Sequence, residues 1–248
     1  MMRSLVRWGT TLGLTSSIVL ASWLGATLRV LALPLEEVVA ILRPVPVFAI
    51  ADAQGTPLVL TKPGQPGVSE VYISKKIAEQ VVEQLKKQKP DIGAQARVVP
   101  ISLGKVYELA EISAQQENGV KFSFIPTQEQ FRAAQTLWRQ QRQPNQPENF
   151  PGTPLFVARA GAAQGYLTLK QGEREVIPFF FDRQQLDNIV TRFKTQNPAE
   201  ANTVKVEVVS LEVMLRVLRE QNNAQFKTLL LVPSREATAF LNSLPRRQ

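Results

Sequence analysis

The 248-residue sequence contains no cysteine and no histidine. Without cysteine there is no disulfide framework and no thiolate nucleophile. Without histidine there is no Ser-His-Asp triad and no side chain that titrates unaided near neutral pH. Lacking both, the chain has none of the usual nitrogen and sulfur ligands of zinc. Carboxylates, Lys, Ser, Thr and Tyr remain for chemistry. The closest carboxylate pairs are Glu36-Glu37, Glu108 with Glu111, and Glu173 with Glu175. Glu108 and Glu111 share a helix face one turn apart, but a charged solvent face accounts for them. The glycine-bearing stretch Gly161-Ala162-Ala163-Gln164-Gly165 joins strand to strand, whereas a phosphate cradle opens a helix. The sequence therefore reads as a non-enzyme with no metal and no cofactor.

Charge is also limited. The formal net charge is +8, from 29 Lys and Arg against 21 Asp and Glu. Arg3, Arg7 and Arg29 lie in a leader-like segment, so about five of those charges belong to the rest of the chain. This is a mild excess without the clustered Arg/Lys and interleaved aromatics of a nucleic-acid surface, and no nucleic-acid partner is expected. The leader has a basic start at Arg3 and Arg7, an uncharged run from Trp8 to Leu28, and Val30-Leu31-Ala32 before a cleavage point after Ala32. This is the pattern of a secretory signal peptide. An uncleaved anchor is the rival, because the run is about long enough to span a bilayer. No second apolar run is that long, so the remainder is expected to be soluble or peripheral to a membrane.

What the chain does have is an internal correspondence. Val45-Pro46-Val47-Phe48 matches Thr153-Pro154-Leu155-Phe156 at an offset of 108 residues. The offset holds for Ile73-Ser74-Lys75 on Phe181-Asp182-Arg183 and for Gln88-Lys89-Pro90 on Gln196-Asn197-Pro198. It holds again for Ile101-Ser102-Leu103 on Val209-Ser210-Leu211. After one deletion, Phe124-Ile125-Pro126-Thr127 falls on Leu231-Val232-Pro233-Ser234. The expected fold class is α+β: two tandem, pseudo-twofold-related copies of a β-β-β-α-β-α-β-α unit, forming two lobes. The expected boundaries are 1–32 signal peptide, 33–142 first repeat, 143–152 linker and 153–248 second repeat.

Within each unit the signals are local. Asp52-Ala53-Gln54-Gly55 supplies a turn between strands. Ser74 and Asp182 suit helix N-caps, and Asp182 with Gln185 and Thr127 with Gln130 have capping-box spacing. Ile77, Val81, Val82 and Leu85 form one apolar helix face, as do Leu186, Ile189, Val190 and Phe193. Pro90 and Pro198 discourage continuation of those helices. Thr61 to Val68, with two prolines and two glycines, reads as an exposed loop absent from the second copy. Arg139 to Gly152, rich in Gln, Asn and Pro, reads as an exposed connector. Leu35, Val38, Val39 and Leu42 form the stripe of a short N-terminal helix that must pack on a lobe or a partner.

The segments Val45-Pro-Val-Phe-Ala-Ile-Ala-Asp-Ala-Gln-Gly-Thr-Pro-Leu, Phe124-Ile-Pro-Thr, Gly152-Thr-Pro-Leu-Phe and Pro178-Phe-Phe-Phe resemble the Tic twenty-two-like family. Its members include the small intermembrane-space component of the plastid inner-envelope translocon and periplasmic proteins of cyanobacteria. The resemblance implies a two-lobed, pseudo-twofold protein in the periplasm. It implies chaperone-like binding of unfolded or translocating polypeptides, and work with the outer-membrane assembly machinery in outer-membrane protein biogenesis. It designates no catalytic residue.

Two sets of side chains are candidates for contact with partners. Phe179 and Phe181 share one face of a strand and Phe180 takes the other. Phe179, Phe181, Phe122 and Phe124 either line an apolar client-binding groove or belong to the core. Lys75, Lys76, Lys86 and Lys87 make one helix basic, either as a solvated face with cations at its C-terminal end or as a contact with an anionic surface, including peripheral contact with a membrane. The expected function is a periplasmic polypeptide-binding protein. The alternative is a small-ligand or lipid-binding protein that uses an apolar pocket between the lobes.

Overall fold

The computed structural model describes residues 33–220 and 224–244. The leader lies outside the described residues. Among them the chain forms α+β structure around two sheets.

The first half opens with α1 (Leu35–Leu42), followed by β1 (Pro46–Ala51), β2 (Leu60–Lys62) and β3 (Gln65–Tyr72). Then come α2 (Lys75–Gln88), the single turn α3 (Pro90–Gly93), β4 (Arg97–Ser102), α4 (Leu103–Ala114), β5 (Lys121–Ile125) and α5 (Gln128–Gln141). The second half runs β6 (Pro154–Ala160), β7 (Gly165–Tyr166), β8 (Leu169–Gln171), β9 (Arg174–Phe180), α6 (Arg183–Gln196), β10 (Lys205–Ser210), α7 (Leu211–Glu220), β11 (Leu229–Val232) and α8 (Arg235–Ser243). Short 3-10 turns at Ala201–Thr203 and Ala224–Thr228 precede β10 and β11.

In the first sheet β4 pairs antiparallel with β1, β1 antiparallel with β3, and β3 parallel with β5. In the second, β10 pairs antiparallel with β6, β6 with β9, and β9 parallel with β11. The register recurs at the same spacing: Pro46 faces Ser102 and Pro154 faces Ser210. The expected loop at 61–68 is instead a hairpin. Leu60 faces Val68 and Lys62 faces Gln65, across a Pro63-Gly64 turn in which Gly64 takes φ +72°. Proline fixes the first corner and glycine alone accepts the second at no steric cost. The second half has its own hairpin here, between β8 and β9. Between β6 and β9 the chain forms two short strands, β7 and β8.

Each sheet is apolar on both faces, so each needs two covers. Alternation along β1 sends Val47 one way and Phe48 and Ile50 the other. The inner faces of both sheets meet one continuous central core. Val47, Val71 and Ile73 come from the first sheet, and Leu155, Val157, Phe179 and Leu231 from the second. Val38 and Leu42 of α1, Leu103, Val106 and Tyr107 of α4, and Leu211, Met214 and Leu218 of α7 complete it. Leu35, at the start of the expected α1 stripe, is exposed instead. Burial beside the Glu111 carboxylate pushes the Tyr107 phenol up to about 12, because desolvation disfavours the anion.

The outer covers are exchanged between the halves. Over the first sheet, Phe48, Ile50 and Tyr72 pack under α2 and under Phe240 of α8, which belongs to the second half. Over the second sheet, Phe156, Ala158 and Phe180 pack under α6 and under Ala134, Leu137 and Trp138 of α5, which belongs to the first half. A boundary near residue 142 in sequence is therefore not a boundary in packing.

The connector also departs from expectation. Helix α5 continues to Gln141, and Phe150 is buried, with its ring edge-on to Trp138 at 5.6 Å. An aromatic residue near the end of a polar stretch pins it to the helix.

Helices α1 and α4 approach closely at Gly104. A Cβ there would lie 2.7 Å from the Val39 carbonyl oxygen and 3.1 Å from Arg43 N. Gly104→Val is expected to destabilise the fold by about 1–3 kcal/mol, the range for overpacking. Urea titration checks this; an unchanged midpoint would mean that the helices do not meet there.

Candidate functional site

The four phenylalanines expected to line a groove are brought together, but in the interior. Phe179 is 5% exposed and Phe181 is 2% exposed, both within the central core. Phe122 and Phe124 are partly buried and pack against the same core. The groove assignment for Phe179 and Phe181 is thus corrected: alternation places them on the inner face, and that face is closed by the other sheet and by α1, α4 and α7. Sequence periodicity identified the face but could not identify its cover. Phe180 faces the opposite way, beneath α5 and α6.

Where the halves meet, the N-terminal ends of α2, α5, α6 and α8 line one cavity of about 230 Å3. Their caps form as the sequence predicts. Ser74 Oγ accepts from Ile77 N, Thr127 Oγ1 from Gln130 N, Asp182 Oδ1 from Gln184 N, and Ser234 Oγ from Ala237 N. The third-position side chains do not close boxes, however. Gln130 Oε1 accepts from Arg183 N at 2.9 Å, so α5 caps α6 instead of itself. Gln185 Oε1 is buried without a partner.

Glu236 of α8 accepts from Ser74 Oγ at 2.6 Å and from Lys76 N at 2.8 Å, capping α2. Arg235 Nε donates to Asp182 Oδ2 at 3.0 Å, and Arg235 Nη2 donates to Gln184 Oε1 at 2.6 Å. Each helix that crosses over is thereby hydrogen-bonded to the helix beside which it docks. Carboxylates at helix N-terminal ends are electrostatically favoured, and here they are supplied from across the molecule. The sequence signal was present in the Glu and Gln that follow the caps, but not their targets.

The basic helix resolves into two kinds of lysine. Lys75 pairs with Glu79, and Lys86 pairs with Glu83 at 2.7 Å. The Lys86 partnership draws the Glu83 carboxyl below its usual range. Lys76 and Lys87 are exposed on the surface of α2. The carboxylate pairs are dispersed: Glu37 meets Lys227 at 3.2 Å, Glu108 meets Lys105 at 3.0 Å, and Glu111 meets Arg219 at 3.6 Å. Among the described residues no three acidic groups gather as a metal site, and no helix is long and apolar enough to cross a membrane.

The two outer antiparallel edges are protected differently. Along β10, the Gln141 side chain donates to the Val206 carbonyl at 2.8 Å and accepts from Val208 N at 3.2 Å. At the matching place in β4 stands Pro100, opposite Phe48, which has no N–H to offer. Both devices blunt an edge against uncontrolled strand pairing. Exposed apolar side chains lie elsewhere, including Leu60, Phe131, Leu241 and Leu244.

Residues 10–243 match the Tic22-like family. The chain is 21% identical over 201 residues to the protein TIC 22, chloroplastic, of Arabidopsis thaliana, a match covering 80% of this chain and 68% of that protein. The Pisum sativum protein of the same name is 23% identical over 157 residues, covering 63% of this chain and 56% of that one. Among solved structures, the protein-transport protein Anabaena Tic22 superposes with a TM-score of 0.76 at 24% identity, over 87% of this chain and 100% of that one. Tic22 from Plasmodium falciparum gives a TM-score of 0.66 at 18% identity, over 83% and 96%. These structural matches establish the fold.

Burial at Phe179 and Phe181 makes their truncation a stability experiment. Phe179→Ala and Phe181→Ala are each expected to cost about 3–5 kcal/mol, the range for large aromatic side chains in a core. Thermal unfolding checks this. A variant that keeps its melting temperature and loses only polypeptide binding would restore the groove at that position.

Proposed function

The chain belongs to the Tic22-like family, and on that premise we propose that it is an exported, chaperone-like protein of the periplasm that binds unfolded or translocating polypeptides without nucleotide. Its proposed partners are such polypeptides and the outer-membrane assembly machinery, in protein translocation or outer-membrane protein biogenesis. The observation that carries the reading is the family match across nearly the whole described chain, together with the superposition on a protein-transport protein.

Several features support it. The chain lacks cysteine and histidine, and Glu37, Glu108, Glu111, Asp182 and Glu236 are engaged in helix caps or ion pairs. Its apolar side chains extend onto the surface of several elements. Exposed Lys76 and Lys87 are available to an anionic surface. The common register of the two sheets and the matched caps support descent from two tandem copies of one unit, with residues 143–152 as the connection. In this reading the two copies are interlocked by their last helices. The alternative, a lipid or small-ligand carrier, needs an apolar pocket between the halves. Among the described residues the inner faces share one packed core, and the junction cavity is small and mixed, with Ile73, Pro154 and Phe181 beside Ser74, Asp182 and Ser234.

The experiment is aggregation suppression. The purified protein, without nucleotide, is expected to delay light scattering by a thermally unfolded model substrate in proportion to its concentration. Scattering that is unaffected at several-fold molar excess would contradict the proposal.

A further inference from the structure

The two crossing helices do the same structural job and are fastened unequally. Helix α5 is held by Ala134, fully buried, and by Leu137 and Trp138 against the second sheet. Trp138 Nε1 donates to the Pro147 carbonyl at 2.8 Å, Gln135 Oε1 accepts from Phe150 N at 2.8 Å, and Gln141 is bonded to β10. Helix α8 is shorter; Ala237 is its buried residue, and it meets the first sheet through the single ring of Phe240, which stands edge-on to Phe48 at 5.4 Å. Leu241 and Leu244 point outward, 41% and 44% exposed. The rest of its attachment is polar: Glu236 on the N-terminal end of α2, and Arg235 on Asp182 and Gln184.

We propose that α8 is a displaceable strap, and that the seat it covers on the first sheet accepts a client segment of the same chemistry. That segment is an amphipathic helix with a carboxylate in its first turn and an aromatic side chain four residues later. The inference rests on the polypeptide-binding function proposed for the chain. The seat itself defines the occupant. Its floor is Phe48, which is fully buried beneath α2 and the Phe240 ring. Its rim is the N-terminal end of α2, where Ser74 Oγ–H and Lys76 N–H donate to a carboxylate and the exposed Lys76 side chain adds positive charge, Lys75 being paired with Glu79. Residues four apart on a helix lie on one face, so Glu236 and Phe240 reach rim and floor together. A helix laid in a groove by such anchors is a general mode of peptide recognition. A cis-held helix lowers apparent affinity for a competitor by the fraction of time that the seat is open.

The test uses the full exported chain and a fluorescein-labelled peptide with the sequence of residues 233–244. Fluorescence anisotropy compares the wild-type protein with Phe240→Ala and Glu236→Gln. Weakening the strap is expected to tighten binding of the labelled peptide by at least about tenfold. Peptides in which the Phe is replaced by Ala, or the Glu by Gln, are expected to lose that gain. Both protein variants are also expected to suppress aggregation more strongly. Glu236→Gln opens no cavity and keeps the test readable should Phe240→Ala not fold. Equal affinity of folded wild-type and variant proteins for the peptide, with wild-type aggregation suppression intact, overturns the strap and leaves the polypeptide-binding function standing. Failure of every form both to bind the peptide and to suppress aggregation overturns the two together.

Discussion

The apolar contact between the inner faces of the two sheets governs everything else in this fold. Strand β1 is buried along its whole length, and its residues face two different cores. A half built alone would leave Val47, Val71 and Ile73, or Leu155, Val157 and Phe179, against water. Each large side chain so exposed forfeits about 1.5–3 kcal/mol. The central core therefore joins residues more than a hundred positions apart. It also takes in α1, whose Val38 and Leu42 close it from the side and whose backbone is admitted by Gly104. The exchange of α5 and α8 adds a second tie, because the outer face of each sheet is finished by a helix from the other half.

Much of the local structure could be read from residue order. Ser74, Thr127, Asp182 and Ser234 cap helices because short side chains with an acceptor oxygen satisfy free N–H groups at a helix start. The alternation through Phe179-Phe180-Phe181 separates two faces. Pro90 ends α2, whose cap falls on Lys89. The sequence was less informative where meaning depends on a distant surface. Periodicity marked Phe179 and Phe181 as apolar without saying that Leu155, Val157 and Leu231 lie beside them. The Pro63-Gly64 turn looked like loop because its flanking strands carry few apolar residues. Gln141 gave no sign that it would serve as a substitute strand for β10, since an amide at the end of a helix has no preferred target.

The packing has consequences for function. With the inner face closed, the proposed polypeptide-binding function would fall to the outer elements: the exposed edge of α2, the apolar residues of α8 and Phe131 of α5. The polar junction at the helix N-terminal ends then matters as a joint. Glu236 and Arg235 hold α8 through hydrogen bonds that water or another carboxylate can replace, whereas α5 adds to its hydrogen bonds the apolar side chains Ala134, Leu137 and Trp138 against the second sheet.

Hydrogen exchange, measured on the protein alone and with an unfolded polypeptide bound, tests the closed inner core most directly. The amides of β9, from Arg174 to Phe180, should exchange slowly and equally in both states, while protection changes along α8 and α2. Loss of protection in β9 and β5 on binding would contradict the closed core: the sheets would then part during function, with the inner phenylalanines as the binding surface.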